Sequence, residues 1–115
     1  MTKLNDGNVV WVNLNPAKGN EQRKIWPCLV IESQASPLSL VIVMPIRDAN
    51  GKTGKKLFVD IRDLKRAGLE KPSVIDVYQI RAIDPKRITS VMGEVDLTVL
   101  NDAKRRFGLL LDLDV

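Results

Sequence analysis

Apolar residues in this chain come in short runs broken by turn-forming residues, and only the last segment changes that rhythm. Asn8-Val9-Val10-Trp11-Val12-Asn13 predicts a first strand. Asn15-Pro16-Ala17-Lys18-Gly19-Asn20 predicts the loop after it, punctuated by proline and glycine. Pro27 to Ser33 and Leu38 to Ile46 predict the second and third strands. These two runs are too continuously apolar to be half-solvated, so both are expected in the centre of a sheet. Arg47 to Lys56 predicts a loop built around Asn50-Gly51 and Thr53-Gly54. Leu57 to Ile61 predicts a fourth strand, and Asp63 to Gly68 one helical turn closed by the glycine. Ser73 to Ala82 predicts a fifth strand. Asp84-Pro85 follows as a cap and a proline in a first helical turn.

The C-terminal segment has a different period. Leu97, Leu100, Ala103, Phe107, Leu110 and Leu111 recur at spacings of three and four, with Asn101, Asp102, Lys104, Arg105 and Arg106 mostly between them. That pattern is an amphipathic helix, for which Asp96 is a suitable N-cap; Gly108 weakens the last turn. The elements together predict a mainly β fold: a small, mostly antiparallel barrel or curved sheet, with a C-terminal helix closing one side.

Composition narrows the class. A chain of 115 residues suits a single domain over 1–115, and 44% apolar with 28% charged residues excludes disorder as a description of the whole. No run approaches the roughly 18 apolar residues of a membrane span, and the polar start Met1–Asn8 is unlike a secretory signal, so a cytoplasmic protein is expected. There is no histidine, and Cys28 is the only cysteine. The usual metal ligand and the usual neutral-pH base are therefore missing, and no metal or cofactor is expected. Cys28 sits in the run Cys28-Leu29-Val30-Ile31 and is expected to be a buried, inert thiol.

The net charge of +4 is uneven. Pro16 to Arg66 holds ten Lys/Arg against five Asp/Glu, while the rest holds eight against nine. An anionic partner would dock in the middle of the sequence; the plainer alternative is a solvated basic face.

Three blocks, in order, resemble the MazF/PemK/Kid toxin family. They are Gly7-Asn8-Val9-Val10-Trp11-Val12-Asn13-Leu14-Asn15-Pro16; Gly19-Asn20-Glu21-Gln22 followed by Pro27-Cys28-Leu29-Val30-Ile31; and Ser73-Val74-Ile75-Asp76-Val77-Tyr78-Gln79-Ile80-Arg81-Ala82-Ile83-Asp84. The third is similar to the family's Gln-x-Arg-x-Ile-Asp segment. The resemblance spans nearly the whole chain. It implies an SH3-like barrel of the MazF/CcdB/Kid type, a homodimer, and a toxin of a type II toxin–antitoxin system. It further implies metal-independent cleavage of single-stranded RNA, inhibited by an acidic antitoxin that occupies the RNA groove. The same fold carries gyrase-directed toxins, so an altered, non-cleaving binding protein is the alternative.

The chain departs from the family at chemically telling places. Trp26 stands where many members carry an arginine before the strand-opening proline. Arg47 stands where they carry a threonine or serine, and Asp76 and Tyr78 where Kid-type members carry arginine and aspartate. The chemistry can still be posed from the residues present. Stabilising the extra negative charge of a phosphorane suits arginine, which makes Arg23 and Arg47 candidates, with Glu21 or Asp48 as base and Tyr78 as a conceivable proton donor. Glu21 has the structural alternative of bonding loop backbone. Lys18, Lys24, Lys52, Lys55 and Lys56 suit backbone phosphates. Trp26 offers a stacking face or fills the core, whereas Trp11 is expected in the core. Gln79 and Arg81 either read a base or brace the Glu21-Gln22 loop. The proposal requires the turns Lys18–Lys24 and Arg47–Lys56 to converge on one concave surface.

Overall fold

The structure, a computed structural model, describes residues 3–14 and 25–113. Within them the strands are β1 (Asn8–Asn13), β2 (Ile25–Glu32), β3 (Val41–Asp48), β4 (Phe58–Ile61), β5 (Ser73–Asp76), β6 (Arg81–Ile83) and β7 (Ile88–Glu94), with helices α1 (Leu64–Ala67) and α2 (Leu97–Leu110). The sheet runs β4-β5-β3-β2-β1-β7, with every ladder antiparallel. The first half of β3 pairs with β6 and its second half with β5, while its other edge pairs with β2. The two runs read as central strands, β2 and β3, are indeed the middle of the sheet.

Curling brings β4 and β7 to opposite sides of an unclosed seam, and α1 fills it. Asp63 caps α1 by accepting from the Arg66 amide, and Gly68 ends it in the left-handed region at φ 77°. The last turn then lies directly on β7. A β-carbon at Gly93 would stand 2.2 Å from the Arg66 carbonyl oxygen, and one at Gly68 would stand 2.4 Å from the Met92 carbonyl oxygen. The seam is closed by backbone against backbone, which only glycine permits.

Two apolar clusters account for the unbroken runs. One lies on the inner face and under α2, and includes Val9, Leu29, Met44, Ile46, Ile75 and Leu100. The other covers the opposite face of β1, β2, β3 and β6, and includes Val10, Val12, Cys28, Val30, Val43 and Ile83. Successive residues of β2 and β3 therefore enter different clusters, as strand alternation requires.

The structure corrects three readings. The strand expected over Ser73–Ala82 is broken. Arg47 faces Val74 and Val43 faces Arg81, so five residues of β3 correspond to eight of this segment, and the surplus loops out at 77–80. Tyr78 sits on that loop and is exposed. Second, the segment after Asp84-Pro85 is more than a turn. A short 3-10 turn leads into β7, whose polar Thr89, Ser90 and Gly93 and whose two register shifts against β1 erase any alternating pattern. Third, α2 starts where expected, with Asp96 accepting from the Val99 amide, but Leu97 and Leu111 stay in solvent. Leu100, Ala103, Val99 and Phe107 make its buried stripe instead, and Gly108 is buried within the helix rather than ending it. No helix among the described residues is long and apolar enough to cross a membrane.

Candidate functional site

Strand register assembles the site. Cys28 of β2 faces Pro45 of β3, so two residues further along each strand Trp26 and Arg47 become neighbours on the same face. Arg47 faces Val74 of β5, which puts Asp76 on that face too, one diagonal step away and within reach of a long side chain. The side chains complete what the register begins. Arg47 Nε donates to Asp76 Oδ2 at 2.7 Å, and the guanidinium carbon lies 5.2 Å from the centroid of the Trp26 ring. Asp76 is 8% exposed at its side chain and Arg47 34% exposed, so the acid is an inside anchor and the arginine an outward group. The plane of the guanidinium is held at its edge by a carboxylate and across its face by an indole.

Beneath this group the face turns apolar. Trp26 leans on the second cluster, and Cys28 is fully buried there. Burial pushes the Cys28 thiol up to about 12, although the positive charges of Arg81 and Arg47 work in the opposite direction. The thiol is thus inert at neutral pH, as its apolar run suggests. Register puts Arg81 of β6 opposite Val43, on the face of the sheet that Cys28 and Val43 share.

Around Arg47 a cleft of about 910 Å³ opens at the end of the barrel, lined among others by Trp11, Ile25, Trp26, Lys52 and Lys71. Trp11 is 36% exposed and lines this cleft, which corrects its assignment to the core. Alternation explains the result: Val10 and Val12 enter the second cluster, whereas Trp11 is on the other face, at the open end. Asp48 is exposed, 3.7 Å from the ammonium of Lys71, a solvated pair of little energetic weight.

Of the residues singled out in the sequence, Trp11, Trp26, Arg47, Lys52 and the alternative base Asp48 line this cleft. Lys55 and Lys56 lie in the turn before β4, with exposed side chains and with backbone carbonyls that accept from Arg106 Nη1 at 3.2 and 3.1 Å. Gln79 is exposed on the 77–80 loop. Lys18, Glu21, Arg23 and Lys24 lie outside the described residues, as does the supposed meeting of their turn with Arg47–Lys56. The sequence marked Asp76 only as a departure from the family and gave it no role, yet it carried a signal. An acid inside the run Val74-Ile75-Asp76-Val77 must find a partner when that run is buried. Among the described residues no three Cys, Asp or Glu side chains are grouped to hold a metal ion.

Comparison with known proteins supplies the remaining finding. Residues 5–111 match the family described as PemK-like, MazF-like toxin of type II toxin-antitoxin system. Endoribonuclease EndoA of Bacillus subtilis (strain 168) is 33% identical over 111 residues, covering 93% of both chains. The crystal structure of MazF from Deinococcus radiodurans superposes with a TM-score of 0.69 at 25% identity, covering 96% of this chain and 97% of that one. A MazE-MazF structure from the same organism agrees in fold, with a TM-score of 0.73 at 24% identity and coverage of 96% and 97%.

Proposed function

The chain belongs to the PemK-like, MazF-like toxins of type II toxin–antitoxin systems, and from that membership we propose that it is an endoribonuclease which cuts single-stranded RNA in the cleft beside Trp26 and Arg47. The observation that carries the siting is the Arg47 guanidinium, fixed against Trp26 at the mouth of a cleft that also holds Lys52. A phosphodiester entering there meets a delocalised cation whose terminal amino groups match phosphate oxygens. When the adjacent ribose hydroxyl attacks phosphorus, the extra charge on the phosphorane oxygens develops beside this preorganised donor, which lowers the barrier. Glu21 is the candidate base for the hydroxyl proton, and Arg23 a second cation for the phosphorane. As the phosphorane collapses, the bond from phosphorus to the 5′ oxygen of the next nucleotide breaks, a 2′,3′-cyclic phosphate forms, and the departing oxygen takes a proton, for which Tyr78 is the candidate donor.

Binding is divided between charge and stacking. Lys52 in the cleft, with Lys55 and Lys56 on the neighbouring turn and Lys18 and Lys24 before β2, suits backbone phosphates irrespective of sequence. Trp26, Trp11 and the exposed amide of Gln79 suit splayed bases. The inhibiting partner is an acidic antitoxin occupying the same cationic cleft; the solved MazE-MazF structure, alike in fold, is consistent with such a pairing. The exposed Leu109, Leu111 and Leu113 suit burial between two copies, which makes the working form a homodimer in the cytoplasm.

One observation favours a second reading, binding without cleavage. Arg47 already has a carboxylate partner, and the usual catalytic positions hold Trp26 and Arg47. Incubating the purified protein with a long mixed-sequence RNA in EDTA separates the two. Sequence-restricted fragments that disappear in Arg47→Ala support the nuclease. Salt-sensitive binding with no fragments supports the binding protein.

A further inference from the structure

We propose that Asp76 is the positioning residue of this site: it fixes the guanidinium of Arg47 by its Nε edge so that both terminal amino groups point outward to a phosphate. The proposal rests on the nuclease reading and adds to it how an arginine on β3 is made precise. A free arginine on a strand end samples many rotamers, and transition-state stabilisation requires one. The structure constrains this one twice. Asp76 holds Nε at 2.7 Å, and Trp26 bounds the face of the plane at 5.2 Å. Nη1 and Nη2 of Arg47 make no hydrogen bond to any described residue. Of their four N–H donors, one shares the Nε edge with the carboxylate and three are directed away from it.

The carboxylate is suited to this work. Asp76 is the last residue of β5, 6% exposed, and its backbone register faces Phe58 of β4. It cannot swing into solvent to follow the arginine; the arginine must come to it. Val74, Ile75 and Val77 around it are fully buried. A carboxylate left there without Arg47 would be costly, so each member of the pair specifies the other's place. Asp76 touches the substrate nowhere in this arrangement. It acts through Arg47.

The test is a double-mutant cycle read in steady-state RNA cleavage with EDTA present. Asp76→Asn keeps the shape and an acceptor oxygen but removes the charge. It is expected to lower kcat about tenfold with KM within about twofold, since a displaced guanidinium loses transition-state rather than ground-state contact. In an Arg47→Ala background the same substitution is expected to change kcat by less than about twofold. Added guanidinium should partly restore Arg47→Ala, and the restoration should be lost when Asp76 is also replaced. This second measurement decides the matter even if Asp76→Asn alters the melting temperature. An equal loss of kcat with and without Arg47, or guanidinium rescue that ignores residue 76, overturns the positioning role while leaving the nuclease intact. Absence of cleavage by the unaltered chain removes the nuclease reading, and the positioning role with it.

Discussion

Two arginines, one on a strand and one on the C-terminal helix, show how one residue type is put to different uses. Arg106, on α2, donates from Nη1 to the carbonyl oxygens of Lys55, Lys56 and Phe58 at 3.2, 3.1 and 3.1 Å, and from Nε to Asp102 at 3.2 Å. It binds the helix to the turn that precedes β4, some fifty residues away in sequence, with Nε and Nη1 both engaged within the protein. Arg47 makes one bond to a buried acid and rests on an indole. Both are intermediate in exposure and both are paired with an aspartate. Charge and burial alone do not distinguish them. What does is where the donors go: Arg106 fills orphan carbonyls, whereas Arg47 leaves its outward donors to a ligand.

The contrast predicts different consequences for the same truncation. Arg47→Ala is expected to reduce RNA cleavage by 10²–10³-fold, or about 3–4 kcal/mol of barrier, as for loss of a main donor to a developing anion. Its melting temperature should fall too, since Asp76 is left buried without its partner, but the loss of rate should persist at temperatures where the variant is fully folded. Arg47→Lys should recover only a minor part of the rate, because an ammonium cannot hold Asp76 and present a fork together. If Arg47→Ala melts far below the parent and cuts RNA at the parental rate, the two arginines have been assigned the wrong way round.

Arg106→Ala should lower stability and spare the rate. Three carbonyls lose a shared donor and Asp102 loses a partner, which together cost about 2 kcal/mol of stability. For a chain of this size that lowers the melting temperature by on the order of 10 °C. At a temperature where the variant is still folded, cleavage should stay within about twofold of the parent. A selective loss of activity in a fully folded Arg106→Ala protein would place the helix end in the substrate path.

How much of this was legible beforehand follows from the range of the forces involved. The period of Val9 to Asn13, the caps at Asp63, Asp84 and Asp96, and the left-handed stop at Gly68 are local, and each appears where the sequence puts it. Breaking Ser73–Ala82 was not legible, because it depends on β3 pairing with two different strands. The strand β7 was hidden by its bulges and by Gly93, whose bare backbone is demanded by α1 rather than by its own neighbours. At the site, Trp26 and Arg47 were recognisable as departures from a family pattern. That they fill one another's space, with Asp76 behind them, is a fact of register across three strands. Residues far apart in the sequence here form one contact, and a pattern read position by position cannot show that.

The smallest predicted effect tests the structural side of the comparison. Burial pushes the Asp102 carboxyl up, but hydrogen bonds from Arg106 and Arg105, together with their charges, outweigh it and hold the group below the usual carboxylate range. A carboxyl whose value is lowered by folding adds stability above its unfolded value, and that stability is lost as pH falls through the lowered one. Urea midpoints for the parent and Asp102→Asn should therefore differ by a constant amount from pH 7 down to about 5. The difference should then shrink in strongly acidic solution, because protonation of Asp102 removes what the substitution already lacks. Salt should narrow it at every pH, since the carboxylate is 29% exposed and its Arg105 partner 56% exposed. A gap that persists unchanged at the acid end would mean that Asp102 supports α2 by shape and not by charge. The contrast with Arg47 would then rest on the carbonyl bonds of Arg106 alone.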